Sequence, residues 1–329
     1  MRSYVAFDSP PLPLLYAHAL AAFFALSYVG SIYVSKNTRL AFKKEQLRAS
    51  QASGQRVRDP EERWRNDPQV IRARLVAVST STLLSCTAVF LVVWKLTGAK
   101  RAELFHEALT ETAARLGLAY TALLPCFITA LLYLGPLYFE FLVGRLPFQR
   151  HWSINIDLLP IIATWQGWRN YIVAPITEEV VFRGCTLAVY HLAGLSRKKM
   201  IFLTPLTFGA AHLHHAWETY NQLGRTAKAA KIATIQTIAQ LGYTSLFGFH
   251  CAFLFMRTGS LLPALISHVF CNIMGLPAFG MHLRQLPGWR FGIILTYLLG
   301  IAAYIYTMDK WTNSYFTLYW AYPGDKSFY

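Results

Sequence analysis

The sequence predicts an all-α, polytopic transmembrane helix bundle of about seven to eight spans, with a polar intramembrane cavity. Three observations carry this. Hydrophobic residues make up 54% of the 329 positions and charged ones only 14%, against roughly 25% charged in an ordinary soluble domain. The apolar residues fall in blocks long enough to cross a hydrocarbon layer, which takes about 20 residues. The ionisable residues inside those blocks gather in the second half of the chain. There each is costly unless it faces the bundle interior.

The first three blocks are 12–34, 75–96 and 116–143. From Leu158 onward apolar segments follow almost without rest, over 158–195, 200–213, 232–256, 260–282 and 291–308. The first block is expected to be a span and not a cleaved leader, because it is long and follows Asp8 and a Pro-rich start. Residues 1–150 read as an N-terminal transmembrane scaffold, 151–310 as the catalytic bundle and 311–329 as a C-terminal tail. The polar stretch 214–231 is expected to leave the bilayer core as a loop or interfacial helix.

The net charge is +15, but its distribution argues against nucleic acid. Segment 36–74 holds eleven Lys or Arg, among them Arg63, Arg65, Arg72 and Arg74, against five acids. Lying between two spans, it reads as a basic cytoplasmic loop. Segment 97–115 is nearly balanced and is expected in the lumen. Segment 144–169, with Arg145, Arg150 and Arg169 against Asp157, returns to the cytoplasm. This alternation sets the N-terminus in the lumen and the entry to the 158–184 segment near the cytoplasm. The basic loop also suits anionic headgroups of the bilayer. The five cysteines (Cys86, Cys126, Cys185, Cys251 and Cys271) all lie in apolar segments without a CxxC, which makes them small core residues. No internal repeat supports an inverted-repeat transporter.

Three motifs carry chemistry. In "TEEVVFRG" (177–184), Glu179 and Arg183 are i and i+4 with Glu on the N-terminal side, the better orientation for a pair. Glu178 is turned about 100° away on the 3.6-residue period and stands free. An unpaired carboxylate in a low-dielectric cavity suits a general base. The alternative is a charge network that only ties helices together. In "FGAAHLHH" (208–215), Phe208 and His212 share a face, and Gly209, Ala210 and Ala211 between them allow close helix approach. His212 then points into a tight interior, as a reacting group or as a hydrogen-bonded core histidine. In "SHVFCN" (267–272), His268 and Asn272 again share a face. They offer two donors to one point, as an oxyanion needs, or make a polar contact between helices.

Taken together the motifs form a hydrolase constellation with no serine or cysteine nucleophile: a carboxylate and a histidine to activate water, and a histidine and an asparagine to polarise a carbonyl. A zinc triad of Glu178, His212 and His268 is the competing arrangement. There is no HExxH, however, and such a site leaves Asn272 without a role. No cofactor is called for.

The order EExxxR (Glu178, Glu179, Arg183), FxxxH (Phe208, His212) and HxxxN (His268, Asn272), together with 244–277, resembles the type II, Ras-converting CAAX prenyl endopeptidases. These belong to the wider CPBP family of intramembrane proteins. The resemblance covers roughly 160–280. It implies an endoplasmic reticulum protease, open to the cytoplasm, that removes the last three residues of prenylated CAAX proteins such as small GTPases of the Ras class. It further implies that Glu178 and His212 activate water and that His268 and Asn272 form the oxyanion hole. Glu179, Arg183 and Phe208 become supporting residues, and no metal is involved. A non-catalytic membrane scaffold of the same wider family and a proton-coupled transporter are the rival classes.

Overall fold

The long apolar blocks fold into helices that cross and lean on one another, with their polar residues inward. The computed structural model describes residues 7–43, 59–98, 102–314, 317–320 and 329. Part of the basic loop, 44–58, lies outside the described residues. Among those described there is no strand, only an isolated bridge between Ala41 and Arg63.

Among the described residues, four helices are long and apolar enough to span a bilayer: α1 (Leu14–Val34), α2 (Pro68–Thr97), a 32-residue helix Ala227–Thr258, and the segment Pro287–Lys310. Two bent pairs add up to two more spans: Leu124–Leu132 with Leu134–Val143, bent by 70°, and Leu262–Met274 with Phe279–Gln285, bent by 44°. By length and composition this gives four to six spans. The expected total of seven to eight also counted the pieces between 158 and 213, which fold as shorter helices and one interrupted run. The outer surface of the bundle is apolar, as lipid contact requires. Leu26, Leu83 and Ile305 are each more than 65% exposed. Polar side chains pack inside, where Ser81 Oγ donates to Ser27 Oγ at 3.1 Å between α2 and α1.

The first bent pair has a local cause. Pro136 has no N–H, and its ring opposes the carbonyl four residues back, at Leu132. The helix therefore breaks around Tyr133. Tyr133 donates its hydroxyl hydrogen to the Gly275 carbonyl at 2.9 Å, so one break is satisfied by the other, as buried backbone in a membrane requires. Gly275 itself sits at φ +65°, a conformation glycine adopts without cost.

Segment 97–115, a short loop between spans in the sequence reading, contains a 14-residue helix, α3 (Ala102–Arg115). Arg115 and Glu111 are 1% and 5% exposed, with Nε and Oε1 2.7 Å apart. The balance of charge there reflects a buried i,i+4 pair. Segment 214–231 begins with the helix His214–Gln222 and ends in the first turns of Ala227–Thr258.

The run 165–192 is helical throughout, but two stretches, Trp168–Val173 and Val180–Cys185, are wound as π-helix. The residues that join the pieces (Trp168, Ala174, Val180 and Thr186) all have right-handed helical angles. π-Turns concentrate at functional sites, and Glu178 and Glu179 lie between these two. The run packs against α1 and α2 on one side and against Leu262–Met274 on the other. At its start, Arg169 Nη1 donates to the Arg65 carbonyl at 2.9 Å. At its end, the Leu192 carbonyl accepts from Leu12 N–H at 3.2 Å. The two segments assigned to one side of the membrane by charge thus meet each other.

The helix Thr204–Ala211 crosses Ala227–Thr258 closely because both present glycine. A Cβ on Gly209 would lie 2.7 Å from Ser245 Oγ, and one on Gly248 would lie 2.5 Å from Pro205 Cβ. This crossing fixes the helix end that carries His212.

Candidate active site

Glu179 and Arg183 pair as their spacing predicts, with Nη1 to Oε1 at 2.9 Å and both side chains at most 1% exposed. The same Oε1 also accepts from His268 Nδ1 at 2.7 Å. That contact joins residues 89 positions apart, on two helices. The second carboxylate oxygen of Glu179 and Nη2 of Arg183 have no hydrogen-bond partner among the described residues. The guanidinium lies 4.4 Å over the Phe208 ring, so an aromatic face takes the place of a further acceptor. Phe208 is in edge contact with Phe182 and with His212. It is the apolar wedge between the ion pair and the His212 ring.

Glu178 turns the other way, as helix geometry requires. Its Oε2 is 3.6 Å from His268 Nε2, beyond hydrogen-bond reach. The expected division holds in space: one carboxylate is tied to arginine, and its neighbour is free of a direct bond. What the i,i+4 reading omits is that His268 stands between the two, with Nδ1 on Glu179 and Nε2 facing Glu178.

His212 Nδ1 lies 2.9 Å from the Phe208 carbonyl. A carbonyl only accepts, so Nδ1 carries the hydrogen, and the neutral ring presents Nε2 as an acceptor. Asn272 donates from Nδ2 to the Asn170 carbonyl at 2.8 Å, which holds the amide against the first π-stretch and leaves its second N–H available.

Glu178, Phe208, His212, His268 and Asn272 all line one cavity of about 700 Å³. A smaller cavity of about 120 Å³ shares Glu178, Phe208 and His212 and extends toward α1 and α2. Residues that sequence reasoning did not single out also line the larger space. Phe247 packs edge-on against His268 with centroids 5.2 Å apart. His250 bridges Thr129 Oγ1 at 2.9 Å and the Tyr304 hydroxyl at 3.0 Å. Arg65 and Arg169 stand at the basic side. Of these, His250 had a signal in the sequence, as an ionisable group within an apolar helix. His214 and His215 lie at the start of the helix His214–Gln222, and His215 pairs with Glu218 at 3.3 Å. Among the described residues no group of three His, Cys, Asp or Glu side chains is arranged to hold a metal ion.

The fold and the cavity define a multi-pass membrane protein with a Glu, His, His, Asn constellation inside the bundle. The family model described as type II CAAX prenyl endopeptidase Rce1-like matches residues 160–274, the part of the chain that carries Glu178, His212, His268 and Asn272. The chain is 34% identical over 213 residues to a Schizosaccharomyces pombe protein named "Probable CAAX prenyl protease 2", covering 65% of this chain and 70% of that one. To the CAAX prenyl protease 2 of Homo sapiens it is 32% identical over 305 residues, covering 88% and 79%. To that of Arabidopsis thaliana it is 48% identical over 126 residues, covering 38% and 39%. No solved structure matches. The chain belongs to the type II CAAX prenyl endopeptidase family and is a membrane protease.

Proposed function

We propose that this protein removes the aaX tripeptide from prenylated CAAX proteins by water that Glu178 and His212 activate. One observation carries the reading: four side chains from three separate segments, all able to act on a peptide bond and water, line the same cavity. Glu178 takes the proton of the attacking water. The unprotonated Nε2 of His212 accepts a hydrogen bond from the water's other O–H and orients it. The water oxygen adds to the scissile carbonyl carbon, and the oxyanion is held by the free N–H of Asn272 and by His268. With Nδ1–H given to Glu179, His268 donates from Nε2 in its doubly protonated form. Collapse breaks the C–N bond, and the proton held by Glu178 passes to the leaving amine. The products are a prenylated cysteine with a new carboxylate and a free tripeptide.

A prenyl chain stays in lipid, so the substrate reaches the cavity from the bilayer with its peptide on the basic side. In this reading that side is cytoplasmic, the membrane is the endoplasmic reticulum and the substrates include small GTPases of the Ras class. Residues 1–150 serve as scaffold, 151–310 as the catalytic bundle and 311–329 as a tail. The test is the mass of a farnesylated CAAX peptide after incubation with the purified protein. Loss of the last three residues is expected. A peptide of unchanged mass with a well-folded sample would favour a non-catalytic scaffold.

A further inference from the structure

The basic side of the cavity gathers three arginines, Arg65, Arg74 and Arg169. Arg65 and Arg169 line both cavities together with Glu178 and His212, and Arg74 joins them in the smaller one. The charges that act on Arg169 are those of Arg65, Arg74 and Glu218. These three guanidiniums stand near two carboxylates, Glu178 in the cavity lining and Glu218 beside it. Glu218 is 6% exposed and already faces His215. Arg74 is held by the Thr38 carbonyl at 2.8 Å.

Arg169 is fixed in place. Its Nε donates to Asn170 Oδ1 at 2.9 Å, and its Nη1 donates to the Arg65 carbonyl at 2.9 Å and to Asn66 Oδ1 at 3.1 Å. Asn170 also receives Asn272 on its carbonyl, so the same residue touches the oxyanion amide and the arginine. Arg65 contributes only its backbone carbonyl to this arrangement, which leaves its guanidinium to act on whatever enters. An arginine held this way is suited to a carboxylate.

The substrate brings such a group. A CAAX protein ends in a free α-carboxylate three residues beyond the scissile bond, which places it roughly 10 Å from the reacting carbonyl in an extended chain. We propose that Arg65 and Arg169 form the subsite for this terminal carboxylate. They would set the length of the released peptide by fixing the chain end against the cavity wall. The inference rests on the tripeptide-releasing reading above.

Binding tests it without cleavage. A fluorescent farnesylated CAAX peptide is titrated into the Glu178→Gln protein, once as the free acid and once as the C-terminal amide. The acid is expected to bind about tenfold more tightly, the worth of one charge-assisted bond. Arg65→Gln should erase that difference by weakening the acid alone, and Arg65→Lys should keep most of it. Arg65 is the informative position because Arg169 also ties two segments together. Equal binding of acid and amide would overturn the subsite. So would an Arg65→Gln loss of equal size for both peptides, the signature of a structural or lipid-headgroup role. If wild-type protein cleaves the peptide but shows no acid preference, only the subsite fails. If it neither binds nor cleaves, the proposed reaction fails with it.

Discussion

Glu178→Gln is expected to lower tripeptide release by about a hundred- to ten-thousandfold while the protein stays folded, which is the range for losing a general base. The two carboxylates of this helix differ in what their removal exposes. Arg183 bonds to Glu179 at 2.9 Å, so neutralising Glu178 leaves no buried guanidinium unpaired. His268 Nε2 lies 3.6 Å from Glu178 Oε2. An amide fills the same space and cannot accept a proton. The loss should therefore fall on kcat, with KM and thermal stability close to wild type. A folded Glu178→Gln protein with full activity would sink the assignment.

Arg183→Met is expected to damage the fold itself. The substitution leaves Glu179 in a 0%-exposed site without its guanidinium partner. Breaking a buried pair from one side costs about 3–5 kcal/mol. The contact of the guanidinium with Phe208 at 4.4 Å is lost as well. A strong fall in the unfolding midpoint, with loss of activity, is the predicted result. The double variant Arg183→Met, Glu179→Leu separates the two effects. Removing both charges should recover much of the stability, since an apolar pair often replaces a buried ionic one at little cost. It should not recover activity, because His268 Nδ1 loses its partner at 2.7 Å. Recovery of both would reduce Glu179 and Arg183 to packing.

Short-range spacing made much of this cavity legible. The Glu179–Arg183 pair, the turning away of Glu178 and the shared faces of Phe208 with His212 and of His268 with Asn272 all follow from helix period alone. The contacts that make these fragments one site do not. His268 meets Glu179 across 89 residues and Asn272 meets Asn170 across 102, and periodicity says nothing about which helices touch. Charge counting had a similar limit. It grouped Arg65 and Arg169 on one side of the membrane, but read them only as topology signals, because a count cannot show that their segments close over the same cavity. The charges of 97–115 were counted for topology alone, and the count could not show that Glu111 and Arg115 form a buried pair on a helix. The block 116–143 had the length of a single span. Pro136 was the local signal of its break, and hydropathy averages over such a residue.

The measurement that bears most directly on the central claim is tripeptide release from a farnesylated CAAX peptide by the purified protein in a strong chelator. The account predicts undiminished release, with Glu178 and His212 as the water activators. Release abolished by chelator and restored by zinc would contradict it and assign Glu178, His212 and His268 to a metal instead.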